Sequence, residues 1–378
     1  MGMQALIPVS YRASRERFRD NLALARSRWP AALHAARPLD EHPDLTIDWI
    51  QADAAQQRER LFILTTAEHG IEGYLGSAVM QLFCAEFLSR LDPTTAGVLL
   101  VHALNPWGME TRCRANSSNV DLNRNFVSAP ADFDPAFNPD YWALRSLLLP
   151  HGRVQAPWRA AADFNLRLAR GLITKGESRI QRGLLLGQYA DPQGLYFGGT
   201  GPQEETQHLR HLVLRTAAGY RQVVWVDVHT GYGPSDRMTL VLSAAEAASA
   251  QQLRSRLGYA TLAKADGGEF YAMRGDMVDC FCELFARERP QTDFFALAFE
   301  FGTLGESLSA RIRSLRAVVL ENQLRQHGAV SQQAEGWVRG EFSDLFLPRQ
   351  AGWYVRAEAD TRQAFAGILG DGGFLTGG

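Results

Sequence analysis

Two histidines and two glutamates stand where apolar runs of the chain give out. In LTTAEHGIEG, His69 and Glu72 lie three residues apart directly after such a run, with Gly70 and Gly73 beside them to let the backbone turn sharply. His229 ends a second run, VVWVDVHTG, and Glu300 sits inside a third, FFALAFEFGT. Two imidazoles and one carboxylate form a donor set for one catalytic zinc ion, whose fourth position stays open to water. Zinc would bring the pKa of that water down to roughly 7, making hydroxide available at neutral pH. A carboxylate in an apolar run is costly unless it faces a polar cleft. Facing one, Glu300 can serve as the general base that takes a proton from the water and passes it to a leaving amine. Alone, an H-x-x-E spacing arises often by chance, and a buried ion pair is the lesser alternative for Glu300; it is their company that carries weight.

The segment LNPWGMETRCRANSSNVDLNRNF, residues 104–126, follows another apolar run and is unusually rich in polar and cationic groups. Asn123 and Arg124 form a planar fork of donors suited to a substrate carboxylate. Arg112 or Arg114 can face the oxyanion that develops at an attacked carbonyl. Asp121 can hold His69 from behind and fix its tautomer.

These groups need a scaffold that brings strand ends together. Strand-like runs at 45–50, 60–67, 97–104, 223–229 and 294–301 alternate with helical patterns at 77–91, 206–220, 244–257 and 306–326. The expected fold is α/β: a single domain over 1–378 with a mixed, mostly parallel twisted sheet and helices on both faces. Open sheets of this kind place ligand sites beyond the strand C-termini. Between about 127 and 200 the pattern weakens under many prolines, and this stretch reads as an insertion.

Composition excludes other classes. A formal net charge of −2 gives no basic footprint for nucleic acid or an anionic membrane, and neither is an expected partner. With no apolar run of membrane-spanning length and no leader-like N-terminus, the expected location is cytoplasmic. The oligomeric state is not legible. The four cysteines are too few and irregular for a disulfide framework, and Cys280-x-Cys282 leaves a metal site incomplete. His208 and His211 read as a solvated helix face, His102 as a neighbour giving a supporting hydrogen bond, and Asp227 as a residue able to tune His229. The glycines of YFGGTGP read as a turn, and no G-x-S-x-G elbow or H-E-x-x-H helix is present.

The ordered motifs HGIE, NPWG, VDLNRNF, DVHT and FEFGT resemble the zinc carboxypeptidase superfamily over roughly residues 45–305. The chain is most similar to a bacterial carboxypeptidase-like group of undefined substrate sharing HGxEG, NPxG, NVDLNRNF, GQYxxPxGLYFGG and HTGxGP. The resemblance implies zinc at His69, Glu72 and His229, the base at Glu300, carboxylate binding at Asn123 and Arg124, and Asp121 behind His69. It favours Arg114 over Arg112 for the oxyanion. Tyr271, Gly275 and Asp279 reproduce the spacing of the family's mobile-tyrosine segment, which makes Tyr271 the candidate substrate-contacting phenol. Val278 aligns with a position that shapes side-chain preference and favours apolar side chains. Glu68 and the 127–200 stretch depart from the digestive enzymes, and the latter can narrow the cleft toward small or unusual substrates. The implied function is a carboxypeptidase-type exopeptidase acting on a peptide; the alternatives are an N-acyl-amino-acid deacylase of aspartoacylase or desuccinylase type, and a non-catalytic zinc-binding protein.

Overall fold

The computed structural model describes residues 2–265 and 273–376. Among these residues eight strands form one sheet: β1 (Leu33–Pro38), β2 (Thr46–Ala52), β3 (Arg60–Thr66), β4 (Ala96–His102), β5 (Gln222–Gly231), β6 (Met238–Leu242), β7 (Leu262–Lys264) and β8 (Asp293–Gly302). Their spatial order is β1-β2-β4-β3-β5-β8-β6-β7. The central run β4-β3-β5-β8 is parallel throughout, whereas β2 and β6 join it antiparallel at either side. The mixed, centrally parallel α/β sheet is the class the alternation predicts.

The helices are α1 (Tyr11–Arg28), α2 (Gly73–Glu86), α3 (Pro106–Thr111), α4 (Pro139–Ala143), α5 (Arg145–Leu148), α6 (Pro157–Lys175), α7 (Glu177–Leu185), α8 (Glu204–Thr216), α9 (Ala250–Leu257), α10 (Met277–Glu288), α11 (Leu308–His327), α12 (Gln332–Phe346) and α13 (Ala351–Asp371). The central strands are apolar on both faces because both are covered. Phe62, Leu64, Val224, Val226 and Phe299 pack in one apolar cluster with residues of α2, α9 and α13. The alternate residues Leu61, Ile63, Val223 and Trp225 pack in another with residues of α8 and α10.

From β3 the chain passes through α2 to β4 on one side, whereas β5 lies on the other side of β3 and leads on toward β8. Neighbouring connections therefore diverge at the β3–β5 boundary, the switch point at which such sheets leave a crevice. Residues 127–200 hold α4 to α7, joined to α11 and α12 by a separate apolar cluster that includes Tyr141, Phe164, Leu168, Val318 and Phe346. No helix among the described residues is long and apolar enough to cross a membrane.

Candidate metal centre and cleft

The crevice at the β3–β5 boundary is where His69, Glu72 and His229 meet. His69 follows β3, Glu72 closes the short turn leading into α2, and His229 is the eighth residue of β5. The turn is forced close to α3: a Cβ on Gly70 would lie 1.9 Å from the Gly108 carbonyl carbon, so only glycine fits there.

The Nδ1 atoms of both imidazoles face the two oxygens of Glu72, His69 at 3.0 Å from Oε1 and His229 at 3.3 Å from Oε2. Each ring is held from behind by a carboxylate. Asp121 Oδ1 lies 2.9 Å from His69 Nε2, and Asp227 Oδ2 lies 2.6 Å from His229 Nε2. A carboxylate on the far nitrogen is the arrangement that fixes the tautomer of a metal-binding histidine. His69 Nδ1 is buried without a hydrogen-bond partner. This orphaned nitrogen, the second Nδ1 and a two-oxygen carboxylate fit a zinc ion.

Electrostatics point the same way. Burial disfavours charge on Glu72, but the His69 and His229 imidazoles outweigh it and hold the carboxyl well below its usual range. Burial likewise opposes charge on Asp121, and Arg114 with His69 overcomes it. At His229 burial is again outweighed, by Asp227 and Glu72, which raise its pKa well above the ordinary imidazole range. Positive charge is what this ring of carboxylates favours.

Glu68 is a second carboxylate within reach. Ligand atoms of Glu68, His69 and His229 lie within 4.8 Å of one another, and neither Glu68 oxygen has a hydrogen-bond partner. Its Oε2 approaches His229 on the Nε2 side, at 3.4 Å, where Asp227 already stands. Glu72, in contrast, meets both rings on the Nδ1 side. Burial pushes the Glu68 carboxyl well above its usual pKa.

A cavity of about 270 Å³ opens onto this cluster and is also lined by Glu300, Arg114, Asn123, Arg124 and Val278. Glu300 is paired in register with His229 across β5 and β8, and the Tyr232 N–H donates to its Oε1 at 3.0 Å. Burial pushes its pKa up to about 7. Arg114 donates from Nε to Asp121 at 3.0 Å and from a terminal nitrogen to Glu72 at 3.1 Å.

Arg112 is a correction to the substrate-contact expectation. It is the left-handed residue that ends α3, its guanidinium stacks over Tyr74 at 4.3 Å, and it donates to the Val9 carbonyl, so it does not line the cavity. Arg124 is 3 % exposed, donates to the Asn123 and Leu185 carbonyls, and keeps Nε unpaired. Asn123 is more committed than expected: it donates to Asp276 and accepts from the Met277 N–H, tying the Arg124 turn to the start of α10. Asp279 also faces the cavity, with burial and then Asp276 pushing its pKa up to about 6. Tyr271 lies outside the described residues.

Sequence reasoning missed Tyr196, which comes from the insertion and lines the same cavity. The Arg114 and Arg124 guanidiniums each stand 5.7 Å from its ring, and its φ of 53° is rare for so bulky a residue. The available signal was the GLYFGG run, which reads as a turn. Asp227 proves to be anchored itself: the Thr65 hydroxyl donates to it and accepts from Trp225 Nε1 at 2.8 Å. His102 is held elsewhere, between Ser14 and Thr66. His208 packs against Trp49, ring centroids 5.0 Å apart.

The family model described as "Protein of unknown function (DUF2817)" matches residues 8–358. Murein peptide amidase A of Escherichia coli K12 is 37% identical over 100 residues, covering 26% of this chain and 37% of that protein. The chain thus matches well under half the length of this curated relative. Among solved structures, murein-tripeptide amidase from Escherichia coli O157 aligns with a TM-score of 0.37 at 20% identity, over 80% of this chain and 95% of that one. Bovine thrombin-activatable fibrinolysis inhibitor aligns at 0.45 and 13% identity, over 83% and 96%. With nearly its whole length matched by one family model, the chain belongs to the DUF2817 family.

Proposed function

We propose that the protein is a zinc-dependent hydrolase of carboxypeptidase type that cleaves an amide bond next to a free carboxylate. The observation that carries this reading is a single cavity bringing together the His69–Glu72–His229 donor set, the carboxyl of Glu300 and a buried guanidinium, Arg124, with an unpaired Nε.

Held by His69, Glu72 and His229, zinc would supply a Lewis acid that polarises the scissile carbonyl and acidifies water. Glu300, with its pKa pushed up to about 7, is poised both to accept a proton from the attacking water and to return it to the leaving nitrogen. Arg114 directs donors to the same place and can meet negative charge as it develops on the carbonyl oxygen. Arg124 pairs with the substrate carboxylate. Its stacking on Tyr196 and its two backbone contacts fix the fork before substrate arrives. The Escherichia coli relative is named as an amidase of murein peptides. That name supports amide cleavage as the reaction class proposed for this chain.

The test is kcat/KM on matched peptides with a free or an amidated C-terminus, and on N-acyl amino acids, in wild type and Arg124→Ala. The expected result is a strong wild-type preference for free acids that shrinks about 10- to 100-fold in the variant, the contribution of a charged hydrogen bond. Equal wild-type rates on acid and amide would refute the carboxylate clamp. Turnover of N-acyl amino acids in place of peptides would assign the deacylase reaction.

A further inference from the structure

Helix α6 has a second apolar face that the protein itself leaves uncovered. Its inward residues Ala160, Phe164 and Leu168 join the apolar clusters beneath it. Trp158, Leu166 and Ile173, however, are 75%, 54% and 85% exposed. With Ala162 and Ala169 they recur at intervals of three and four residues, so they form one stripe along the outside of the helix. Beside that stripe stand Arg159 and Arg170, both exposed, whose guanidiniums make no ion pair or hydrogen bond among the described residues.

The surrounding stretch is strongly cationic. From Asp140 to Arg182 there are eight basic side chains and three acidic ones, Asp140, Asp163 and Glu177, a local excess of five positive charges in a chain of formal net charge −2, with Asp140 paired to Arg179 and Arg182. The whole-chain figure, which gave no reason to expect a membrane partner, averages this excess away.

Each candidate occupant makes different demands. A second copy would bring the same positive excess against itself. A nucleic acid would pair with the arginines but leave Trp158 and Ile173 in water. An anionic bilayer satisfies both halves at once: acyl chains and the headgroup boundary receive the apolar stripe, and lipid phosphates receive the arginines. We propose that α6 docks the protein on an anionic lipid surface. The helix packs against α7, whose Leu184 and Leu185 line the cleft, so docking sets the insertion wall of the cavity beside the bilayer.

Flotation of the full chain with phosphatidylcholine vesicles and with mixed phosphatidylcholine–phosphatidylglycerol vesicles, at low and high salt, tests this. Binding to the mixed vesicles alone, weakened by salt, is expected. Arg159→Glu and Arg170→Glu should each weaken it about five-fold or more, the contribution of one basic residue at such a surface. Trp158→Ser with Ile173→Ser should weaken it about ten-fold or more. Because all four side chains lie on the surface, circular dichroism and hydrolysis of a soluble peptide should be unchanged in these variants. Failure of the wild type to bind mixed vesicles, or variants that bind as wild type does, would overturn the proposal. So would a dimer that only the apolar substitutions dissolve, or retention by duplex DNA but not by vesicles.

Discussion

His229 stands in β5 between two parallel neighbours, whereas Tyr196 and Leu185, which face the same cavity, belong to a stretch held to α11 and α12 by its own apolar cluster. His229 is fixed twice, by the hydrogen-bonded ladder on either side of it and by the Asp227 carboxylate behind it, while the Tyr232 N–H holds Glu300 beside it on β8. The insertion's wall is fixed chiefly by side-chain packing. Chemistry and cavity shape therefore reside in separately supported parts, and a change in one should leave the other readable.

The sharpest way to break this division is at the ligands. His69→Ala or His229→Ala should abolish tight zinc binding, because two protein ligands are too few for a catalytic site, while circular dichroism stays native. Full metal occupancy by elemental analysis in either variant would move the centre away from the strand ends. Next in size, Glu300→Gln should retain zinc and lose roughly a hundred- to ten-thousand-fold in kcat, as expected when a general base becomes an amide. Near-normal turnover would place the base elsewhere.

Between the two regions lies Glu205 in the first turn of α8, where Asn116 Nδ2 donates to it at 3.2 Å. Burial pushes its carboxyl up to about 7. A carboxyl whose folded pKa exceeds its unfolded one holds its proton more tightly in the native state, so stability falls as pH rises from the ordinary glutamate range to about 7. Glu205→Gln should remove that slope, a difference of about 1–3 kcal/mol at neutral pH that urea melts at a series of pH values would resolve. An unchanged slope would mean that other groups set it. The smallest effect is expected in the insertion: Tyr196→Phe keeps the ring that faces Arg114 and Arg124 and should cost no more than about a few-fold in kcat/KM, with zinc content unaltered. Loss of metal in that variant would show that the two regions are not independent.

Legibility in the sequence follows the same line. His69, Glu72, His229 and Glu300 could be found because each interrupts or ends an apolar run of strand period, where a polar side chain is conspicuous. The residues by themselves left Arg112 and Arg114 both open, since they differ by two positions in a loop, and only the resemblance favoured Arg114. What decides between them is the left-handed turn at Arg112, which ends α3 and aims its side chain at Tyr74. The central strands were legible from their apolar runs; β6 and β7, of five and three residues, were too short to show a period. In the insertion, α6 disperses its apolar residues over two faces, which blurs the single-stripe pattern of an amphipathic helix. Asp227 was visible as a neighbour of His229, but its anchoring by Thr65 depends on β3 lying beside β5.

The contact between Gly70 and Gly108 changes what the motifs themselves can testify. A side chain on Gly70 would strike the backbone of α3, and one on Gly108 would strike Asn105 and the Ala115 carbonyl, at 2.6 and 2.8 Å. Both clashes would persist if every metal ligand were lost. The glycines of HGIE and NPWG thus record how two turns fit together, and a retired descendant would be obliged to keep them. When sorting relatives into working and silent members, the diagnostic letters are the imidazoles and carboxylates beside those glycines, since they alone are free to decay when catalysis is abandoned.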